Sequence, residues 1–468
     1  MKKVISIIIT LTLLLSVLSV SVVVHAATEE KICGDYKYTA DSDNAVITEY
    51  TGNEKEVNIP SELDGITVAA LGEKAFNNNK SIEKVTLPDT ITEIGSGAFM
   101  YCQKLSEVNI PESVKKIKNF AFCGTKIPEA VVPTATALIG KEAFAHCGDL
   151  KKITIKSAID TVPRGMCNDC PKLEEVNLPN SIITVDTFAF DNCKSLKSIT
   201  LPEKTKNIKL TAFSGSGLEK FNIGKNVSVI KGLIGAKKLS KITLDKNNKN
   251  FSIKNGILYN KDKTKLVFVP SLLNRKKLTV PATVKTIKSA AFSYNKKLEK
   301  VNLNKVCTIE GSNFRYCNIT KIVIPKTVKK IDDGCFYCCD KLKTVKFKRT
   351  KPMYIWNYCF SECKKLKYAE YPVLKKGACG DGLFDTCPAL KKIKVKSGAK
   401  SVPWLTYGNK AFKEVIIPKS VKKIDKNLGY HYSGKKKIAV KGFTIKGKKN
   451  STAQKYAKRN KFKFIELR

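Results

Sequence analysis

Gly97-Ala98-Phe99-Met100-Tyr101-Cys102-Gln103-Lys104-Leu105-Ser106-Glu107-Val108-Asn109-Ile110-Pro111 is the stretch that decides the fold. Leu105, Val108 and Ile110 are apolar at relative positions 0, 3 and 5, and the last two alternate with polar residues. That alternation reads as a short strand with one face turned inward. Pro111 then removes a backbone donor and stops the ladder. The same 0, 3, 5 spacing recurs fourteen times, from Ile82/Val85/Leu87 to Phe412/Val415/Ile417. Successive starts lie 21 to 24 residues apart, except for one interval of 59 between Leu239 and Leu298. A second short segment follows each strand, as in Val114-Lys115-Lys116-Ile117, and then a small residue plus Phe, as in Ala98-Phe99, Ala189-Phe190 and Ala291-Phe292. These rings are expected to stack as a buried aromatic spine, with alanine leaving room for the neighbouring coil. One unit cannot bury its apolar side alone, and stacked copies can. Length by itself would suggest two or three globular domains, but the repeat replaces that reading with a single solenoid.

The run from Gly97 to Pro111 resembles the BspA-type leucine-rich repeat of bacterial surface proteins, and the resemblance extends over residues 36–467. The long interval fits it, because Asn247-Asn248-Lys249-Asn250-Phe251 and Asn255-Gly256-Ile257-Leu258-Tyr259-Asn260-Lys261-Asp262 are similar to a hairpin-bearing insert common in that family. The resemblance implies a β-rich leucine-rich-repeat solenoid of parallel stacked short strands, with turns and short helical pieces, a hairpin insert and terminal caps. It leaves the partner open, since members share a scaffold and differ in what they bind. The expected organisation is a signal peptide (1–26), an N-terminal cap (27–60), repeats (61–245), a hairpin-bearing insert coil (246–280), repeats (281–425) and a C-terminal cap with a short helix (426–468). In that last cap Ser451 and Gln454 form a capping box that opens a helix ending near Asn460, and Phe462, Phe464 and Ile465 are expected to seal the core.

Lys2 and Lys3, the apolar or Ser/Thr run 4–24 and the small-residue site Val24-His25-Ala26 read as a secretory leader cleaved after Ala26. A retained anchor is the alternative, since a run of about 20 apolar residues spans a bilayer. No other stretch is apolar enough to span, and residues 462–468 lack the tail of a wall-sorting signal. The expected location is therefore secreted or at the bacterial cell surface, as a monomer. The formal net charge is +44, or +42 once Lys2 and Lys3 leave with the leader. Such a charge favours acidic partners: an extracellular protein, an acidic glycan or a wall polymer. The lysines are scattered and form no basic arm, so nucleic acid enters only as a non-specific polyanion.

The chain has sixteen cysteines. Cys167-Asn168-Asp169-Cys170 and the group Cys335, Cys338 and Cys339 invite a metal or redox reading. Repeat phase gives another account. Cys102, Cys147, Cys170, Cys193, Cys317, Cys339, Cys363 and Cys387 all fall three residues after the spine position, where Asn79 and Asn295 stand in other coils. This is the Asn/Cys rung of leucine-rich repeats, in which a small buried side chain satisfies turn backbone. Disulfides and metal are the competing readings, and the parallel side chains of stacked rungs poorly meet the disulfide dihedral. The leader aside, histidine occurs only at 146 and 431, many coils apart, and no nucleophile elbow, zinc-protease motif or phosphate-cradling loop is present. No catalytic residue, metal or cofactor is assigned, and a glycosidase-like carboxylate pair is the residual enzymatic alternative.

The outward sheet surface is then the candidate site. Residues just before the inward pair run Lys84, Glu107, Glu129, Lys152, Glu175 and Ser198, and then Lys220, Lys241, Lys300 and Lys321, with Lys346, Lys392 and Lys394 later on the same face. Aromatic residues also gather toward the C-terminal end, including Trp356 and Tyr368. Cations beside aromatic rings suit a glycan or protein hot spot. The expected function is non-catalytic binding to an anionic macromolecule through Lys220, Lys241, Lys300, Lys321, Lys346, Lys392, Lys394, Trp356 and Tyr368, against diffuse retention on an anionic wall by charge alone.

Overall fold

The computed structural model describes residues 29–378, 382–407, 409–433 and 435–468, so the leader expected over 1–26 and Cys379 lie outside the described residues. The chain winds into a parallel β-solenoid of about 18 turns. Most coils contribute one short strand to each of two sides. On the first side Glu56–Asn58 pairs in parallel with Lys84–Thr86, and the ladder runs coil by coil as far as Lys463–Glu466 with interruptions. On the second side Ile66–Leu71, Glu93–Ile94, Lys116–Ile117 and Leu138–Ile139 begin the corresponding ladder. Three antiparallel strands, Lys31–Cys33, Tyr36–Ala40 and Asn44–Tyr50, precede it, and the last of them pairs in parallel with Ile66–Leu71.

Apolar residues at the strand positions and at the third corner fill the interior. Phe76, Phe99, Phe122 and Phe144 stack with ring centroids 5.1–5.5 Å apart, and Phe292, Phe314, Phe336 and Phe360 with centroids 4.5–4.9 Å apart. The backbone repeats with the rings. The Phe99 N–H donates to Ala121 O and the Phe122 N–H to Ala143 O, both at 2.8 Å.

The expected helix is in the C-terminal cap, and helix is otherwise scarce. Among the described residues the single α-helix is Thr452–Arg459, and the spine corner is built of turns. The reason is a backbone alternation. Residues two before and two after the spine position are left-handed, as in Glu142 (φ 55°) and His146 (φ 57°), or Ser312 (φ 54°) and Tyr316 (φ 62°). A left-handed residue every fourth position breaks the right-handed path a helix needs. Most of these residues are not glycine, so composition gives little warning of the conformation.

At the C-terminal end the Ser451 side chain accepts the Gln454 N–H. Gln454 Oε1 accepts the Asn450 N–H at 2.7 Å, one residue earlier than a capping box requires. Phe462 precedes the last strand and packs on Phe443 (5.1 Å) and Tyr430 (5.2 Å). Phe464 packs against the same core, while Ile465 takes the alternate strand position.

The cysteine rungs have a common geometry. The thiols of Cys102, Cys147, Cys170, Cys193, Cys317 and Cys339 each donate to the spine carbonyl one coil earlier, at 2.8–3.1 Å. The Asn295 amide makes the equivalent bond to Pro270 O at 3.0 Å and also accepts the Leu298 N–H. The fifteen described cysteines are all free thiols. Burial pushes Cys102 and Cys317 up to about 12 from an ordinary 9.0. A folded-state value raised this way contributes stability that is complete below pH 9 and is lost from there toward 12, as the unfolded chain ionises first. The melting temperature is therefore expected to fall above pH 9, and iodoacetamide near pH 8 to label the rungs only after unfolding, because thiolate is the nucleophile. Labelling of the rungs in the folded protein, or disulfides between them, would contradict this account.

Candidate functional site

On the first side the strands put two outward columns on the surface. The column next to the inward pair begins with mixed charges. Lys84 sits between Glu56 and Glu107 in register, and Lys152 between Glu129 and Glu175. Ion pairs follow from that register: Lys84–Glu107 at 2.7 Å and Lys152–Glu175 at 3.0 Å. Glu107 holds the Lys84 ammonium above its ordinary value, and Asn177 and Lys152 hold the Glu175 carboxyl below its own. Each pair is exposed and contributes little to stability, but each lysine here stands between two carboxylates.

The pairing then stops. Lys220 faces Lys241 directly, and beyond the hairpin Lys277 faces Lys300, which faces Lys321. Neighbouring strands are about 4.8 Å apart, so these are stacked like charges. All five side chains belong to exposed residues, and among the described residues none has a carboxylate within ion-pair distance. A depression of about 360 Å³ lies on this face, lined by Lys300, Asn302, Lys321, Val323, Pro325 and Lys348.

The other candidate residues divide by position. Thr344 and Tyr368 continue the same column after Lys321, and Lys392 follows Tyr368 in register. Lys392 is compensated: Glu414 stands 2.6 Å away and also meets Lys446 at 3.1 Å. Burial pulls the Glu414 carboxyl up, but the two lysines outweigh it and hold it below its ordinary value. Lys346 and Lys394 occupy the neighbouring outward column, opposite Val323 and Glu370 respectively. Tyr368 is half-buried, and burial raises its hydroxyl pKa. Trp356 is not brought together with any of them. It follows the strand Tyr354–Ile355, which pairs with Lys330–Ile331 on the second side of the coil.

Lys277 is absent from the sequence-level candidates. Its strand, Lys277–Thr279, lies inside the 59-residue interval, where Arg275 occupies the first apolar position of the motif. Leu278, Val280 and Pro281 preserve the rest of the pattern and were the available signal.

The fold defines this protein as a leucine-rich-repeat solenoid. The sequence profile of the BspA type leucine rich repeat region, in six copies, matches residues 69–184, 160–275, 271–373 and 307–438. The chain belongs to that family. Among solved structures it is similar to a leucine rich cell surface protein from Faecalibacterium prausnitzii, with 22% identity, a TM-score of 0.50, and coverage of 87% of this chain and 96% of that one. It is also similar to the pneumococcal vaccine antigen PcpA, at 18% identity and a TM-score of 0.48 over 94% and 99% of the two chains. A leucine-rich repeat protein from Bacteroides ovatus matches at 19% identity and 0.45 over 94% and 100%. These likenesses concern the fold alone. No curated protein matches the chain. Among the described residues no helix is long and apolar enough to cross a membrane.

Proposed function

We propose that this protein is a non-catalytic extracellular binding protein that holds an anionic macromolecule along the column of Lys220, Lys241, Lys277, Lys300 and Lys321. The observation that carries the reading is the change along this side from Lys/Glu ion pairs to five uncompensated lysines. Folding does not ask for lysine there, since glutamate fills the same position in earlier coils. An anion lying along the face would relieve the repulsion between stacked ammonium groups. Membership of a repeat family favours an interaction role over catalysis. The leader-like N-terminus and the cell-surface description of the F. prausnitzii relative favour secretion or surface display. The partner chemistry that fits is an acidic glycan, an anionic wall polymer or an acid-rich extracellular protein.

The test changes Lys220, Lys241, Lys300 and Lys321 to glutamate and titrates the variant with a heparin oligosaccharide as polyanion probe. A second quadruple variant, with glutamate at the exposed Lys104, Lys194, Lys238 and Lys297, carries the same change in net charge. Binding by the column variant is expected to weaken at least about tenfold, or about 1.4 kcal/mol, and by the control far less. Equal losses would favour the second reading, a diffuse basic coat that retains the protein on an anionic wall, and would also give identical salt dependence in the two variants.

A further inference from the structure

The second side of the solenoid is interrupted at the hairpin insert. Val229–Ile230 pairs with Asn207–Ile208 and is the last strand of its sheet. Beyond it the sheet on that side resumes with Phe251–Lys254, Ile257–Asn260 and Lys265–Phe268, which pair antiparallel in that order, and Lys265–Phe268 then pairs in parallel with Thr286–Ile287; none of the three pairs with Val229–Ile230. The insert-facing edge of Val229–Ile230 is thus an open strand edge, of the kind that folded proteins ordinarily cover. A cleft of about 580 Å³ lies against it, lined by Leu210, Val229, Ile234, Phe251, Val267 and Phe268, with Lys231 and Lys265 at its rim.

Two sequence exceptions coincide with this cleft. The outward position held by Val229 is Thr184 and Asn207 in the coils before it and Thr286 and Thr308 in the coils after it. The position held by Leu210 is Arg164 and Thr187 before and Ser289 and Gly311 after. Leu210 is 47% exposed and Val229 38%, so neither is explained by core packing. Among the described residues Lys231 and Lys265 have no carboxylate within ion-pair distance, whereas the neighbouring Lys288 is held by Glu310 at 2.6 Å.

We propose that the cleft binds an extended, acid-bearing peptide of a partner protein by strand addition to Val229–Ile230. The open edge supplies main-chain hydrogen bonds. Alternate apolar side chains of the peptide rest on Leu210, Val229 and Val267, and its carboxylates reach Lys231 and Lys265. This site is on the other side of the coil from the lysine column and does not depend on it.

The probe is a fluorescein-labelled Asp-Val-Thr-Val-Thr-Val-Asp peptide, followed by anisotropy. It is compared with a lysine-flanked analogue and with one N-methylated at alternate amides. The acid-flanked peptide is expected to bind, the lysine-flanked one at least tenfold more weakly, and the N-methylated one not at all. Leu210→Thr with Val229→Thr restores the kind of residue other coils carry, so the double variant should keep its melting temperature and lose at least tenfold in affinity. The four-lysine column variant should bind the peptide like wild type. Absence of binding, equal binding of the N-methylated peptide, or equal binding by the double variant would each overturn the proposal. So would a dimer that the double variant abolishes, since the occupant would then be a second copy of the chain.

Discussion

Phe314→Ala is expected to destabilise the protein by about 3–5 kcal/mol, the range for removing a buried aromatic side chain where the surroundings do not collapse. Phe314 is fully buried, and its ring lies between Phe292 at 4.5 Å and Phe336 at 4.9 Å, with interplanar angles of 15° and 3°. Both neighbours are held by the backbone ladder of their own coils: the Phe292 N–H donates to Asn313 O and the Phe336 N–H to Cys359 O. Neither ring can move in to fill the space without breaking a coil-to-coil bond. Cys167 shows what a compensated replacement looks like. It occupies the spine position, its N–H donates to Ala189 O, and the adjacent position, alanine in many coils, is the buried Met166. Met-Cys in place of Ala-Phe roughly conserves volume, and such exchanges are the ones cores tolerate. Phe314→Ala has no such companion. Urea denaturation of the two proteins measures the difference, and an unchanged midpoint would remove Phe314 from the stabilising core.

Deletion of residues 448–468 is the second large effect. It removes the helix Thr452–Arg459 and the strand Lys463–Glu466, whose register partner is Thr444–Gly447. Tyr456 goes with them, and its hydroxyl donates to the carbonyls of Asp425 and Leu428 at 3.0 and 2.9 Å. What remains is a bare strand edge above the buried Phe443 and Ile445. Solenoid ends in that condition associate edge to edge. The truncated protein is expected to melt lower and to aggregate, as read by thermal melting and light scattering. A truncated chain that stayed monomeric and melted with the full-length protein would contradict the capping role.

The stacking direction, the spine and the cysteine rung were legible in the sequence because each is a one-residue-type rule repeated at fixed phase. Phe99 and Cys102 differ by three residues, as do Phe314 and Cys317, and the thiol-to-carbonyl bond between coils follows from that constant offset. The left-handed residues were not legible, since Tyr316, Glu362 and Thr386 adopt positive φ through the ladder that surrounds them and not by intrinsic preference. Nor was the break beside Val229. It arises because the insert strands Phe251–Lys254, Ile257–Asn260 and Lys265–Phe268 pair with one another antiparallel and leave Val229–Ile230 without a partner on that edge. At the candidate site the lysine series was visible, but its compensation was not. Lys392 and Glu414 are far apart along the chain and meet only when the coils are in register. Lys277 escaped because Arg275 stands where the motif has an apolar residue. Trp356 shares a stretch of chain with the later lysines and yet faces another side, since each coil turns a corner between its two strands.

The most direct test of the central claim is a lysine-reactivity footprint. The protein is acetylated briefly with and without a saturating heparin oligosaccharide, and the modification at each lysine is read by mass spectrometry. The account predicts strong protection at Lys220, Lys241, Lys277, Lys300 and Lys321, and little change at exposed lysines elsewhere, such as Lys104 and Lys194. Protection spread evenly over all exposed lysines, or concentrated away from that column, would contradict it.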